Sequence, residues 1–581
     1  MQPAIHTPIA ISLGAIGQAL PHWGDRTQLI EVFFMLDLWY KNAVLYCIDV
    51  ETYMDANSDG VGDFEGLTQR LDYIAGLGIT CIWLMPFYPT PNKDNGYDVM
   101  DYYSVDPRLG TLGDFVEFTR QAHERGIRVI VDLVINHTSD QHPWFQAACK
   151  DKNSKYRRYY IWSEEKPDDA EEGIVFPGFQ KSTWTYNEEA GAYYAHQFYD
   201  HQADLNITNP QVREEIQKIM GFWLALGVSG FRVDAAQFLI ELRGKETQLD
   251  VESPYHYLKE IRNFLSWRCG DAILLAEVNV PVEELPLYFG DGDIMQMLFN
   301  FIVNQHLILA FAQEKAVPLV EALKALPSVP EIGQWANFIR NHDELTLDQL
   351  SDAQQDEIAA ALAPDRERMW IFDRGIRRRF APMVDGDLRR LRLAYSLMLT
   401  LPGTPVINYG EELGMGDDLS LEERNPARTP MQWSSEANAG FSTVSPEQLV
   451  RPVVTEGEYS YKHLNVIAQR RNTNSLLNWM ERAIRMRKEC PEFGWGTWQI
   501  IETGNPCVFA HRSSWRGGVV IAVHNFSKEA CTVTLKLNDD EGKHLIDLLG
   551  DQPYEAIEGT SHKLQLKGYG YCWFRVSGHH L

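Results

Sequence analysis

AVLYCIDV (43–50), FEGLTQRLDYIAGL (64–77) and ITCIWLM (79–85) stand one after another near the start of the chain. The first and third are short apolar runs rich in β-branched and aromatic residues. The second repeats its apolar residues at helical spacing, so the three read as strand, amphipathic helix, strand. The unit recurs with LGDFVEFTRQAHER (112–125) and RVIVDLVI (128–135). Further apolar runs follow at Gly230–Asp234, Ala272–Glu277, Ile294–Phe301, Trp335–Ile339 and Pro405–Tyr409. Parallel strands joined by covering helices are what such alternation builds, and eight of them predict a closed α/β (β/α)8 barrel.

The rhythm fails between Thr138 and Asp204, a stretch too long for a simple loop, and resumes until a last helical segment ending at Cys490. Beyond it, Cys507–Arg512, Val519–Asn525, Cys531–Leu537 and Tyr571–Val576 alternate between polar turns. The predicted division is an appendage over 1–36, a barrel over 37–139 and 205–490, an inserted subdomain over 140–204 and a β-sandwich over 491–581. Met35 is read as an alternative translation start.

The chain has 581 residues, 45% of them hydrophobic, and a formal net charge of −27. That charge opposes binding to nucleic-acid phosphates and anionic membranes, so the triplet Arg377-Arg378-Arg379 reads as a local ion-pair cluster and the substrate as a small neutral molecule. No apolar run is long enough to span a bilayer. Eight scattered cysteines with neither CxxC nor metal-ligand spacing point to reduced thiols and a cytoplasmic setting. A homo-oligomer is left open.

Three acids follow three distant apolar runs. Asp234 ends GFRVD, Glu277 ends AILLAE and Asp343 follows ANFIRNH, which aims all three at the face where barrel loops converge. A single strand-end acid reads equally well as a helix cap; three together read as a site. Cleavage of an acetal needs one carboxyl to protonate the leaving oxygen and one carboxylate to meet the developing cation. Arg232, two residues before Asp234, is expected to hold that aspartate ionised as the nucleophile. Glu277 has no cation beside it in sequence, so desolvation is expected to raise it into the range of a general acid.

DLVINH (132–137), GFRVDAAQF (230–238), LLAEV (274–278) and FIRNHDE (338–344), with HQADLN (201–206), resemble the signature regions of the α-amylase family across about residues 38–580. The resemblance implies a barrel carrying an inserted domain after its third strand and a C-terminal β domain. It also implies Asp234 as nucleophile, Glu277 as acid/base and Asp343 as a stabiliser of the distorted sugar. Arg232 would orient the nucleophile, and Tyr97, His137 and His342 would contact the glucose ring. Asp98 and Arg428 would pair to close the pocket around the non-reducing end, which implies exo action on short α-glucosides.

WYKNAVLYCIDV, NSDGVGDFEGL, NHTSDQHPWF, RTPMQW and NAGFS resemble most the branch of the family that interconverts maltose and trehalose by intramolecular glucosyl transfer. The segment Val278-Asn279-Val280-Pro281 departs from that branch on the acceptor side. It keeps open an exo-acting α-glucosidase or an intermolecular transglucosylase on maltose, sucrose or related glucosides.

DANSDGVGD (55–63) puts oxygen ligands at alternating positions. The resemblance implies that Asp55, Asn57, Asp59, the carbonyl of Val61 and Asp63 hold a structural Ca2+, for which Mg2+ could substitute. A second ion is implied at Asn136, Asp204 and Glu241, with carbonyls near Phe238 and Leu239.

Overall fold

A computed structural model describes residues 38–240, 255–537, 540, 543–550 and 559–577. The appendage over 1–36, the alternative start at Met35 and Glu241 lie outside the described residues.

Eight parallel strands close into a barrel: β1 (Leu45–Ile48), β2 (Cys81–Leu84), β3 (Arg128–Leu133), β4 (Gly230–Val233), β5 (Ile273–Ala276), β6 (Met297–Phe299), β7 (Gln334–Phe338) and β8 (Thr404–Asn408). β8 pairs with both β7 and β1. Nearly every residue of these strands is buried, because the barrel interior lies on one side and the helices on the other.

The helix expected over 64–77 is two helices, Phe64–Gln69 and Leu71–Leu77. At Arg70 the amide turns back to the carbonyls of Leu67 and Thr68, tightening the turn and breaking the ladder. The strand expected over 294–301 is shorter. Asn300 accepts from the Val303 amide at 3.3 Å and starts the helix Phe301–Gln313. By contrast, Thr111 and Asp114 form a reciprocal cap on the helix Leu112–Glu124, where the sequence places its start.

The excursion after β3 has a neck, His137–Ser139 paired antiparallel with Gln202–Asp204. Beyond the neck it carries a three-stranded sheet of Trp162–Ser163, Ala192–Ala195 and Trp184–Asn187. The C-terminal domain is antiparallel, with Thr497–Ile500, Val508–Trp515, Gly518–Asn525, Tyr571–Ser577 and His544–Asp547 in that order across one sheet. A second pair, Cys531–Lys536 with Ser561–Leu566, covers it. Val533 and Leu535 point into a core with Ile521, Val523 and Phe574. All eight cysteines are free thiols, and among the described residues no helix is long and apolar enough to cross a membrane. Of the arginine triplet, Arg378 pairs with Asp417, whereas Arg377 and Arg379 donate to main-chain carbonyls.

Candidate active site

Asp234 and Glu277 each follow directly on a barrel strand, β4 and β5, and Asp343 lies five residues beyond β7. All three line one cavity of about 360 Å³ at the carboxyl ends of the strands, with Asp94, Tyr97, His137 and Arg424. Arg232, His342 and Arg428 stand behind it and touch its acids.

Arg232 is 1% exposed and organises the floor. In the β3–β4 register Asp132 lies opposite Arg232, and one guanidinium nitrogen donates to Asp132 and to Asp234, each at 2.5 Å. The other donates to Glu277 Oε2 at 2.6 Å. Glu277 therefore does have a cation beside it, contrary to the reading from adjacent residues, because β4 and β5 run side by side. Ala235 N also donates to Glu277 Oε2, at 3.3 Å. To do so Ala235 takes a φ of +48°, a left-handed conformation that alanine rarely adopts.

Burial raises Asp234 to about 7; Arg232 pulls it down, while Asp132 and Asp343 push it up. Burial likewise raises Glu277 to about 7 against Arg232, with Asp234 and Asp343 adding to the rise. Arg232 lowers Asp234 as expected, but burial and the neighbouring acids outweigh it, since one cation is divided among three carboxyls. Each of the two carboxyls disfavours ionisation of the other, so both are shifted upward together.

Asp343 is the opposite case. Burial disfavours its charge but is outweighed by His342 and the guanidiniums of Arg424 and Arg428, which hold it well below the usual carboxylate range. Both arginines donate to Asp343 Oδ1 at 2.8 Å. Burial pushes His342 and His137 down to about 4, so both rings are neutral at pH 7. His342 Nε2 lies 2.7 Å from the Tyr97 hydroxyl, and the two rings stack at 5.6 Å. His137 Nε2 lies 3.0 Å from the Tyr97 carbonyl.

The pairing expected of Asp98 with Arg428 is not the one formed. Asp98 is fully buried and accepts from Thr90 Oγ1 and the amides of Lys93 and Asp94, which shapes the loop. The buried ion pair at the cavity is Asp94 with Arg424, and Arg424 passes on to Asp343. Arg428 reaches Asp343 and the His342 carbonyl from behind. Asp94, Asp132 and Arg424 were not singled out from the sequence. The signal available was proximity: Asp94 precedes Tyr97 by three residues, Asp132 opens DLVINH, and Arg424 is four residues before Arg428.

Residues 48–496 match the family described as alpha amylase, catalytic domain. The chain belongs to the α-amylase family. Residues 517–575 match the family described as sucrose hydrolase-like, C-terminal domain. The chain is 39% identical over 552 residues to the trehalose synthase of Pimelobacter sp., covering 93% of this chain and 96% of that one. It is 42% identical over 541 residues to the trehalose synthase of Thermus thermophilus, covering 93% of this chain and 56% of that longer one. The crystal structure of the trehalulose synthase from Pseudomonas mesoacidophila superposes with a TM-score of 0.71 at 28% identity, covering 93% of this chain and 99% of that one. The chain is accordingly an α-amylase-family enzyme.

In this α-amylase-family enzyme the loop 55–63 is tied by its own carboxylates. Asp55 accepts from the amides of Ser58 and Gly60 and from Ser442 Oγ. Asp59 accepts from Val61 N and Asn57 Nδ2, and Asp63 caps the next helix through Gly66 N. Among the described residues no three His, Cys, Asp or Glu side chains gather into a metal cage by themselves. The donors are nonetheless all hard oxygens, some from Asn57 and the Val61 carbonyl, and each carboxylate keeps lone pairs to spare. That chemistry fits Ca2+ or Mg2+ and not a soft metal. At the other implied site, Asn136 Nδ2 donates to Asp204 Oδ1 at 3.2 Å, and Phe238–Ile240 forms a 3₁₀ turn nearby in sequence after β4.

Proposed function

We propose that this α-amylase-family enzyme interconverts maltose and trehalose by retaining, intramolecular glucosyl transfer. The observation that carries the reading is the single guanidinium of Arg232 spanning Asp234 and Glu277. Two carboxyls on neighbouring nitrogens of one guanidinium favour the close spacing of roughly 5 Å that retaining chemistry uses, over the wider gap an inverting water needs. The likeness to two trehalose synthases supports the choice of sugars.

Protonated Glu277 gives its proton to the glycosidic oxygen as that oxygen leaves the anomeric carbon, while a carboxylate oxygen of Asp234 forms the new bond there. Asp343, kept ionised by Arg424 and Arg428, accepts ring hydroxyls and strengthens its grip as positive charge develops. The freed glucose stays and turns its anomeric hydroxyl inward. Glu277, now a carboxylate, takes that proton; the hydroxyl oxygen bonds to the anomeric carbon and Asp234 departs. The Asp94–Arg424 pair lines the cavity beside Asp343 and is proposed to close it around the non-reducing end, which supports exo action on a short, neutral glucoside. Ca2+ is proposed as a structural ion of loop 55–63, where its charge would offset three carboxylates, and the neck of the insert as a second candidate. A reducing cytoplasm is the proposed setting.

The test follows all sugars by proton NMR after separate incubation with maltose and trehalose, with Asp234→Asn alongside. Each disaccharide yielding the other with little free glucose is the expected result. Glucose alone would make the enzyme an α-glucosidase, and unchanged activity in Asp234→Asn would overturn the mechanism. Loss of at least about 10⁴-fold is expected of that variant.

A further inference from the structure

Arg451 does not line the cavity, yet its guanidinium is only 10% exposed and sits where three distant segments meet. It donates to Asp49 Oδ2 at 3.3 Å and Glu51 Oε2 at 3.1 Å, both just beyond β1. It also donates to the Arg428 carbonyl at 3.3 Å and to Asn95 Oδ1. Asn95 adjoins Asp94, and Arg428 holds Asp343, so two of the four contacts bear directly on groups at the closed end of the cavity.

The loop carrying Asp94 is shaped from within by Asp98 and braced from outside. Asn92, Asn95 and Gly96 have φ of 58°, 48° and 91°. Asparagine tolerates this left-handed conformation better than other side chains, and contacts from outside the loop add to its internal bonds in keeping the two there. Asn92 is held by Glu51, and Asn95 by Arg451. The Arg451 main chain is fixed from its other side, where Val450 N donates to the Gly60 carbonyl at 2.9 Å.

We propose that Arg451 is a positioning residue that sets the Asp94 loop and the Arg428 main chain at the glucose-binding end of the cavity. The proposal rests on the reading above that Asp94, Arg424 and Asp343 form that end. A plain structural ion pair would need Asp49 and Glu51 alone. Glu51 already has Arg108 at 2.7 Å, whereas Arg451 makes the one salt bridge to Asp49 among the described residues. Removing Arg451 by itself thus strands a buried carboxylate, and the test must separate that cost from positioning.

Arg451→Met, Arg451→Lys, Asn95→Ala and the pair Arg451→Met with Asp49→Asn are compared by calorimetric binding of deoxynojirimycin, a glucose-shaped probe. KM and kcat are measured in parallel with α-glucosyl fluoride. The double variant is expected to fold, to lose about tenfold or more in both Kd and KM, and to keep kcat within about threefold, since Arg451 touches no reacting atom. Lysine is expected to restore most of the affinity, and Asn95→Ala to lose about threefold. Wild-type affinity in both Asn95→Ala and the folded double variant would reduce Arg451 to a structural ion pair. Failure of the wild-type enzyme to bind the probe would instead overturn the assignment of the glucose-binding end, and the proposal with it.

Discussion

The two ends of the cavity hold the same kinds of side chain but shift their carboxyls in opposite directions. At one end a single guanidinium, Arg232, serves Asp132, Asp234 and Glu277. At the other, Asp343 takes two guanidiniums and a histidine, sharing one of the guanidiniums with Asp94. Burial raises the carboxyls at the first end to about 6 or 7, while Asp343 is held low. Burial disfavours the charge on all four, so the cations that each carboxyl meets set the direction in which its shift ends. On the proposed mechanism, the acid/base that must release a proton sits where cations are scarce, and the stabiliser that must stay negative sits where they are plentiful.

The largest effect that could break this comparison comes from Arg232→Gln. Removing the shared cation disfavours the carboxylates at that end, so the Asp234 and Glu277 values rise further and Asp234, the proposed nucleophile, stays protonated to higher pH. Activity at neutral pH is expected to fall by about 10³-fold or more, and the pH–rate profile of what remains to move toward alkali. An unmoved profile would mean that the cation ratio does not set these protons.

A smaller effect separates the two aspartates of the loop. Asp94→Asn removes the charge opposing Arg424 and is expected to raise KM for maltose about 10- to 100-fold with little change in Tm. Asp98→Asn takes away an acceptor of the Lys93 and Asp94 amides, so it is expected to lower Tm more and KM less, by about threefold. The reverse ranking would restore Asp98 to the site.

That ranking also marks where the sequence ceases to be legible. The barrel could be read because strands buried on both faces are near-continuous apolar runs, and the three acids because each follows such a run. Asp94 and Asp98 both lie in one turn, DNGYD, and nothing in their spacing says which carboxylate faces the cavity. Only the path of the chain through Asn95 and Gly96, both at positive φ, decides it. Arg232 reaches Glu277 across 45 residues through the β4–β5 pairing, and Asp132 across 100 through β3–β4. Neighbours made by strand pairing are invisible to an argument built on adjacent residues.

The smallest effect sharpens the comparison by removing the counter-ion altogether. His511 is fully buried in the C-terminal domain between Phe493 and Phe509, and among the described residues neither ring nitrogen has a hydrogen-bond partner. Burial alone pushes it down to about 3 from an ordinary 6.5. The folded state therefore binds this proton more weakly than the unfolded chain. Stability is full above about pH 6.5 and is lost as the pH falls toward 3. His511→Phe removes that linkage, and calorimetry should show its Tm falling less than that of the wild type as pH drops; near about pH 5 the difference is about 2 kcal/mol. Parallel curves would mean that the ring finds a partner for its proton, and that burial without a counter-ion is not the governing cost there.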